Sequence, residues 1–405
     1  MYLKGLIYVD HYRPAMKIKK IVLIFLTLFL VISCEKSSHE QYKYSPPEDT
    51  GDGLEVSTLA AEGLDEMLFS EMMDAVQSDP SHRIHSIIVL KNDKLVFEEY
   101  FEGYALSDDP FGSDGEWMSY NRETDHYLAS ISKSITSILV GIAIDKGYIN
   151  IESDMVAQYL PAYSDILTGD KAEITIEQML TMTSGFPWDE STYPIGHELN
   201  DHTFLFNADD PIRWVLERPL EYLPGERWKY NSGTTNVLAA VVEESSGYTY
   251  EEFLDNNLLG PLGIDNEDYL LITFSNGRTF ASGGFYMSAR ELGKIGLLYL
   301  NEGLWDGSRI LSAEWVRKSH DEHIVFSGSY PFIDSYGYQW WRNTFTINQE
   351  DYYAYIGLGW GEQSLFIFPD YDLIVLFYCG YFQTEPDVYP ADLITEYIIP
   401  SLIAD

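Results

Sequence analysis

The chain has 405 residues, 45% of them hydrophobic and 22% charged, a balance that supports a large buried core and excludes wholesale disorder. Its 64 acidic against 25 basic residues give a net charge of -39, so the surface repels phosphate backbones and nucleic acid is excluded as a partner. No single acidic cluster stands out, and the acidity reads as a soluble, self-repelling surface.

Residues 1–33 read as an export signal. Lys17, Lys19 and Lys20 precede an apolar run from Ile21 to Ile32, followed by Ser33 and Cys34. The run is short for a membrane span. Met16 stands just before the lysines, so residues 1–15 are open to being an upstream misassigned start. Leu30-Val31-Ile32-Ser33-Cys34 resembles a bacterial lipobox, which implies a lipid on Cys34 and a membrane-anchored lipoprotein of the cell envelope. Residues 34–58 are polar and read as a linker to a catalytic body over 59–405. Cys379, the other cysteine, sits in an apolar strand-like run and reads as a buried structural thiol, so no disulfide is expected.

In the body, Ala60 to Val76 has helical apolar spacing and Pro80 closes it. Ser86 to Leu90 and Leu95 to Phe101 read as a hairpin turning at Lys91-Asn92-Asp93-Lys94, and Gly103 to Thr124 as a loop. Leu128 to Lys146 reads as a helix apolar around most of its circumference, hence central. Its exception is a stripe of Ser130, Lys133, Ser134, Ser137 and Gly141 at helical spacing. Residues 150 to about 280 read as mostly helical. Helices at Ala289 to Asn301 and Ala313 to Ser319 follow, then strands at Tyr352 to Ile356, Ser364 to Phe368 and Leu373 to Tyr378, and a closing helix from Asp392. Strands near both ends with helices between them predict an α/β (α+β) fold: one antiparallel central sheet built from the N- and C-terminal segments, flanked by helices, with an inserted helical lobe.

Ser130-Ile131-Ser132-Lys133 matches Ser-x-x-Lys, a pattern of penicillin-recognising enzymes. The tetrapeptide alone is near chance level; Ser33-Cys34-Glu35-Lys36 is a second match, inside the export signal. At a helix start, backbone N–H groups stabilise negative charge developing on a serine oxygen. A lysine buried on the same face loses proton affinity and becomes a usable base. A capping serine with a snorkelling lysine fits the four residues equally well. The segment Pro224 to Gly233, "PGERWKYNSG", adds Tyr230 in a turn before a helix from Asn236, where a phenol can serve as a second proton carrier.

Taken in order, "LASISKSITSILVGIAI" from Leu128, "LTMTSGFPW" from Leu180, "PGERWKYNSG" from Pro224, "GPLGI" from Gly260 and "SGGFYMSARELGKIGLLYLNEGLW" from Ser282 resemble the serine β-lactamase-related family. That family includes class C β-lactamases, penicillin-binding proteins, carboxylesterases and nylon-oligomer hydrolases. The resemblance implies Ser130 as acyl-forming nucleophile, Lys133 as its activating partner and Tyr230 as the acid/base for the leaving group. The second motif, usually Tyr-x-Asn, is Tyr230-Asn231-Ser232 here, the form of the esterase and nylon-hydrolase branch, with Ser232 as a substrate donor. The third motif, usually Lys or His, any residue, Gly, falls in Gly357 to Gln363, where neither Lys nor His occurs. Gly359, Trp360 and Gly361 remain as the oxyanion strand, Trp360 and Ser130 supplying the N–H groups. The cation that would hold a substrate carboxylate is missing, which argues against penicillins and D-alanyl peptides.

Trp188, Trp228, Tyr286, Trp340, Trp341 and Trp360 are candidates to line an apolar pocket, two or three of them reaching ligand. His320 and His323 read as solvated surface rather than a metal pair. The expected activity is that of a serine hydrolase acting, without metal or cofactor, on a small-molecule or short-peptide ester or amide. The rival is a cell-envelope binding protein on the same fold that has lost turnover.

Overall fold

The computed structural model describes residues 41–402 except 108–113, 152, 328–332, 383 and 385; Cys34 and the export signal lie outside them. Nine strands form the central sheet: β1 (Glu55–Val56), β2 (Ile84–Lys91), β3 (Lys94–Tyr100), β4 (Ile324–Val325), β5 (Ser335–Tyr336), β6 (Trp341–Ile347), β7 (Glu350–Gly359), β8 (Gln363–Phe368) and β9 (Leu373–Cys379). Their order is β1-β3-β2-β9-β8-β7-β6-β5-β4. The sheet is therefore completed by the two ends of the chain, β2 pairing antiparallel with β9. Only β1 departs from the antiparallel pattern, lying parallel to β3. The β2–β3 turn has Asn92 and Asp93 both left-handed, at φ 52° and 65°, as a tight two-residue hairpin requires.

Period-two alternation buries both faces of the middle strands. Along β9, Ile374, Leu376 and Tyr378 join one core, while Leu373, Val375, Phe377 and Cys379 join the other. The four longest helices are α1 (Glu66–Ser78), α2 (Ile131–Asp145), α3 (Ser232–Ser246) and α4 (Ala289–Leu300). The first core holds α2, α3 and α4; the second holds α1 and the closing segment Pro390–Ser401. Short helices at Val156–Tyr159, Ile176–Leu180, Asp201–Asn207, Pro211–Glu217 and Tyr250–Leu254 build the lobe around α3. No described helix is long and apolar enough to cross a membrane.

Several expectations change, among them the loop from Gly103 to Thr124, where Glu102–Tyr104 pairs antiparallel with Trp117–Ser119. Helix α2 begins at Ile131, not Leu128, because Leu128 N–H still bonds Phe285 O at 2.9 Å, continuing the short strand His126–Tyr127. The stretch expected to be linker is docked from Tyr42 onward: Tyr44 Oη donates to Val96 O at 2.7 Å and Tyr42 N–H to Asp74 at 2.8 Å. Buried Arg290 clamps the same stretch, donating to Glu98, to Asp52 at 2.9 Å, to Thr50 at 2.8 Å and to the Glu48 carbonyl at 2.9 Å. His320 and His323, expected in solvent, stack on Tyr355 and Tyr338 with centroids 4.2 and 4.1 Å apart. Among the described residues no group of three or more His, Cys, Asp and Glu is placed to hold a metal ion.

A histidine pair is buried beside the strand that feeds the site. His85 Nδ1 lies 2.8 Å from His126 Nε2, and His126 Nδ1 lies 3.2 Å from Tyr127 O. Tyr120 stacks on His85 and Tyr378 on His126. Gly103 and Gly380 close on His85 so tightly that a Cβ at either would come within 2.5 or 2.6 Å of its ring. Burial pushes His85 down to about 2 and His126 down to about 4. Both folded values lie below the unfolded one, so the stability these neutral rings contribute is complete above about pH 6.5 and is lost as pH falls toward 4. Urea unfolding should show each ring costing about 2 kcal/mol between pH 7 and 5; a pH-independent midpoint over that range would refute neutral burial.

Candidate active site

Ser130 is the N-cap of α2, with its own φ at -72° and ψ at -5°. It is thrust forward by Ala129, which is left-handed at φ 48°. That conformation is costly for a residue with a Cβ and persists only where the surroundings enforce it. Here the strand before it and the helix after it do so, and the half-buried hydroxyl of Ser130 faces a cleft lined also by Tyr127, Ala129, Glu190, His202, Ser282 and Trp360.

One turn on, Lys133 is only 2% exposed. Its Nζ donates to Ser130 Oγ at 2.9 Å and to Ser282 O at 2.8 Å. Burial pushes the Lys133 ammonium down to about 8, while the Glu190 carboxylate opposes the fall. An amine with that proton affinity, in contact with a serine hydroxyl, is a competent base.

Tyr230 lies in the extended stretch before α3, whose N-cap is Asn231, accepting from Thr234 N–H at 3.2 Å. Its ring faces Lys133 Nζ at 5.0 Å, and its hydroxyl is within hydrogen-bonding reach of the Ser130 side chain. Burial and the nearby Glu190 carboxylate raise its pKa, so it stays a protonated phenol. Trp341 stacks on it at 5.6 Å and Trp228 packs beside it at 6.4 Å, so these two tryptophans position Tyr230 instead of lining the cleft. Trp340 is fully buried, and of the tryptophans proposed for the pocket Trp360 is the one lining it.

The structure thus brings Ser130, Lys133 and Tyr230 together. The edge of the site is the end of β7. A Cβ on Gly359 would stand 2.3 Å from Leu128 O and 3.2 Å from Ala129 Cβ, so only glycine lets this strand pass the backbone leading to Ser130. Gly361 is left-handed at φ 84° in the turn to β8. Gln363 fixes that turn, donating from one amide to Trp360 O at 3.2 Å, Gly361 O at 3.1 Å and Cys379 O at 2.6 Å. Ser232 is 1% exposed and does not line the cleft; its N–H donates to Glu190 Oε2 at 3.2 Å. The substrate-donor role expected of its hydroxyl therefore lacks access.

Several residues of the site were not singled out from sequence. The Ser282 carbonyl that accepts from Lys133 is held by Asn236 of α3, whose amide takes Ala281 N–H at 3.0 Å and donates to Ser282 Oγ at 2.9 Å. Thr136 of α2 donates to Ala281 O at 3.0 Å. Glu190 stands in a loop and His202 in the first turn of the short helix Asp201–Asn207, neither within any motif; a buried Asn in an apolar helix was the one readable signal.

A family model described as Beta-lactamase matches residues 69–397. A 6-aminohexanoate-dimer hydrolase of Paenarthrobacter ureafaciens is 26% identical over 311 residues, 72% of this chain and 71% of that protein. Protein flp of Staphylococcus aureus is 24% identical over 188 residues, 45% of this chain but only 34% of its own length. Among solved structures, a family VIII carboxylesterase superposes with a TM-score of 0.64 at 14% identity, covering 82% of this chain and 96% of the other. The octameric penicillin-binding protein homologue from Pyrococcus abyssi superposes with 0.56 at 20% identity, covering 82% and 75%. At such identities these two report a shared fold.

Two predictions follow from the geometry. The rate on any substrate attacked by Ser130 should rise with pH through an apparent pKa of about 8, as Lys133 gives up its proton; a flat kcat/KM profile between pH 6 and 9 would count against Lys133 as the base. Gly359→Ala should lower kcat by about 10² by displacing the strand that passes the backbone leading to Ser130, the expected oxyanion strand, with the circular dichroism spectrum unchanged.

Proposed function

The chain belongs to the Beta-lactamase family, and on that premise we propose that it is a serine hydrolase cleaving a small ester or amide through an acyl-enzyme on Ser130. The observation carrying the proposal is the 2.9 Å contact from buried Lys133 to Ser130 Oγ, with Tyr230 against both.

In the proposed cycle, Ser130 Oγ bonds to the carbonyl carbon as Lys133 takes its proton. The oxyanion is met by the Ser130 and Trp360 N–H groups at the start of α2 and the end of β7. Tyr230 delivers a proton to the departing oxygen or nitrogen as that bond breaks, and is reprotonated from Lys133. Water then attacks the acyl carbon, gives up its proton through the same pair, and releases the acid with Ser130 restored. The hydrolase relative and the esterase-like fold support an ester or amide as substrate. Gly357 to Gln363, where the family resemblance would place a Lys or His, contains neither, and this speaks against substrates recognised through a carboxylate. The contact of Lys133 with Ser130 favours turnover over a binding-only role. Export and lipid anchoring at Cys34 belong to the same proposal and rest on the N-terminal sequence.

Treatment with a fluorophosphonate should add one label, found by mass spectrometry on the peptide carrying Ser130 and absent from Ser130→Ala; no label on the wild type would sink the reading. Tyr230→Phe should keep the label and lose kcat by roughly 10²–10⁴, and nitrocefin should be turned over poorly or not at all.

A further inference from the structure

Resting on the acyl-transfer reading above, we infer that Glu190 is a positioning residue for the reaction: its carboxylate, fixed beside the nucleophile, holds the Lys133 amine at the proton affinity that attack by Ser130 requires. Glu190 is 8% exposed and lines the same cleft as Ser130. Its Oε2 accepts from Trp188 Nε1 at 2.5 Å and from Ser232 N–H at 3.2 Å. Those two donors orient the carboxylate and favour its ionised form. They also tie it to the rest of the machinery. Ser232 follows Tyr230 by two residues, and the Tyr230 ring faces Lys133 Nζ at 5.0 Å. Trp188 packs on the start of α3, where a Cβ on Gly233 would come within 2.8 Å of its ring. The loop itself is braced, Asn200 Nδ2 donating to the Glu190 carbonyl at 3.2 Å and Asp201 accepting from Asp189 N–H at 2.6 Å while pairing with Arg218 at 2.8 Å. Glu190 and the Tyr230 segment are therefore fixed to one another, and Ser232, hidden from the cleft, serves it through a backbone N–H.

Two opposing demands meet at Lys133. Its amine must be dry to shed its proton near neutral pH, yet an amine stripped too far of proton affinity cannot take the proton of a serine hydroxyl. Burial alone drives a lysine down by as much as about 3–5 pH units. Neither hydrogen-bond partner of Nζ carries a charge to oppose it, one being a hydroxyl and the other a carbonyl. The other titratable groups around the amine are uncharged as well. Tyr230 before α3 is held as a neutral phenol, and Tyr336 of β5 stays protonated in its own burial. His202 of the helix Asp201–Asn207 is pushed by burial down to about 4 and is neutral at pH 7. Tyr127, on the strand before Ser130, adds a further phenol to the lining. Among the described residues Glu190 is the one carboxylate lining the cleft. Its attraction works against burial and leaves the Lys133 ammonium at about 8. When Ser130 gives up its proton, the ammonium forms in the field of that carboxylate, so the pair strengthens at the step in which the charge is created.

The test is the pH dependence of kcat/KM for 4-nitrophenyl acetate, a neutral ester whose leaving group needs no proton, so that the profile reports the base acting on Ser130. Wild type should rise through an inflection at about 8. Glu190→Gln should move that inflection down by about one pH unit and lower the high-pH plateau by roughly threefold or more, so the two profiles converge on the acid side. Glu190→Asp, which keeps the charge, should restore at least about half of the shift. A merely structural defect would scale the whole profile and leave its inflection in place. An inflection unmoved in Glu190→Gln, or moved as far by Glu190→Asp, overturns the assignment while leaving the hydrolase reading intact. Should Glu190→Gln fail to fold, the wild type carrying carbon-13 at its glutamate carboxyl carbons decides by nuclear magnetic resonance: one resonance should titrate together with the kinetic inflection and lose that step in Lys133→Ala, and the absence of any such resonance overturns the assignment. Absence of both turnover and fluorophosphonate label overturns the hydrolase reading, and the same resonance, followed against pH, then judges the pairing of Glu190 with Lys133 by itself.

Discussion

A lysine amine held out of water between a serine hydroxyl and a backbone carbonyl is the constraint around which this molecule is arranged. Burying an ammonium costs several kcal/mol unless it is well met or discharged, and Lys133 is both met, by Ser130 Oγ and Ser282 O, and pushed toward its neutral form. Meeting it requires three separate stretches of chain to converge. Helix α2 brings Lys133 and Ser130, α3 brings Asn236, and the segment before the short strand Phe285–Met287 brings the Ser282 carbonyl that Asn236 and Thr136 hold in place. The central position of α2 follows from the same demand, because only a helix wrapped by other elements can keep the amine dry.

Much of the architecture was readable because its signals are local. The unbroken apolar run from Leu373 to Tyr378 marked a strand, and the turn Lys91-Asn92-Asp93-Lys94 marked the hairpin of β2 and β3. The apolar circumference of Ile131 to Ala143 marked the central helix, and the stripe interrupting it marked the chemistry. The start of α2 was misread by three residues, since the left-handed turn at Ala129 is imposed from outside by the pairing of Leu128 with Phe285 and leaves no local trace. Glu190, His202 and Ser282 were illegible for a related reason: each reaches the cleft through tertiary packing, and Ser282 acts through a carbonyl that every residue possesses. Ser232 shows the converse, a motif position that is plain in sequence and turned away from the cleft in space.

The same distinction explains the aromatic residues. Of six tryptophans and tyrosines that composition offered as pocket wall, Trp228 and Trp341 brace Tyr230, Trp340 is packed against Tyr299 at 4.4 Å, and Trp360 forms wall. A phenol proposed to pass protons between two neighbours needs its ring held still, and packed indoles do this at little entropic cost. His320 and His323 likewise serve as flat apolar bodies against Tyr355 and Tyr338.

The docking of residues 42–56 onto the sheet has a mechanical meaning for a protein proposed to hang from a lipid on Cys34. Arg290, Tyr42 and Tyr44 fasten this stretch to the body, so a lipid on Cys34 would be joined to the body at Tyr42 and not at the end of the polar segment. The chain from Cys34 to Tyr42, were it fully extended, would span no more than about 28 Å. With such a lipid in a bilayer, the body would be kept within that distance of the membrane surface.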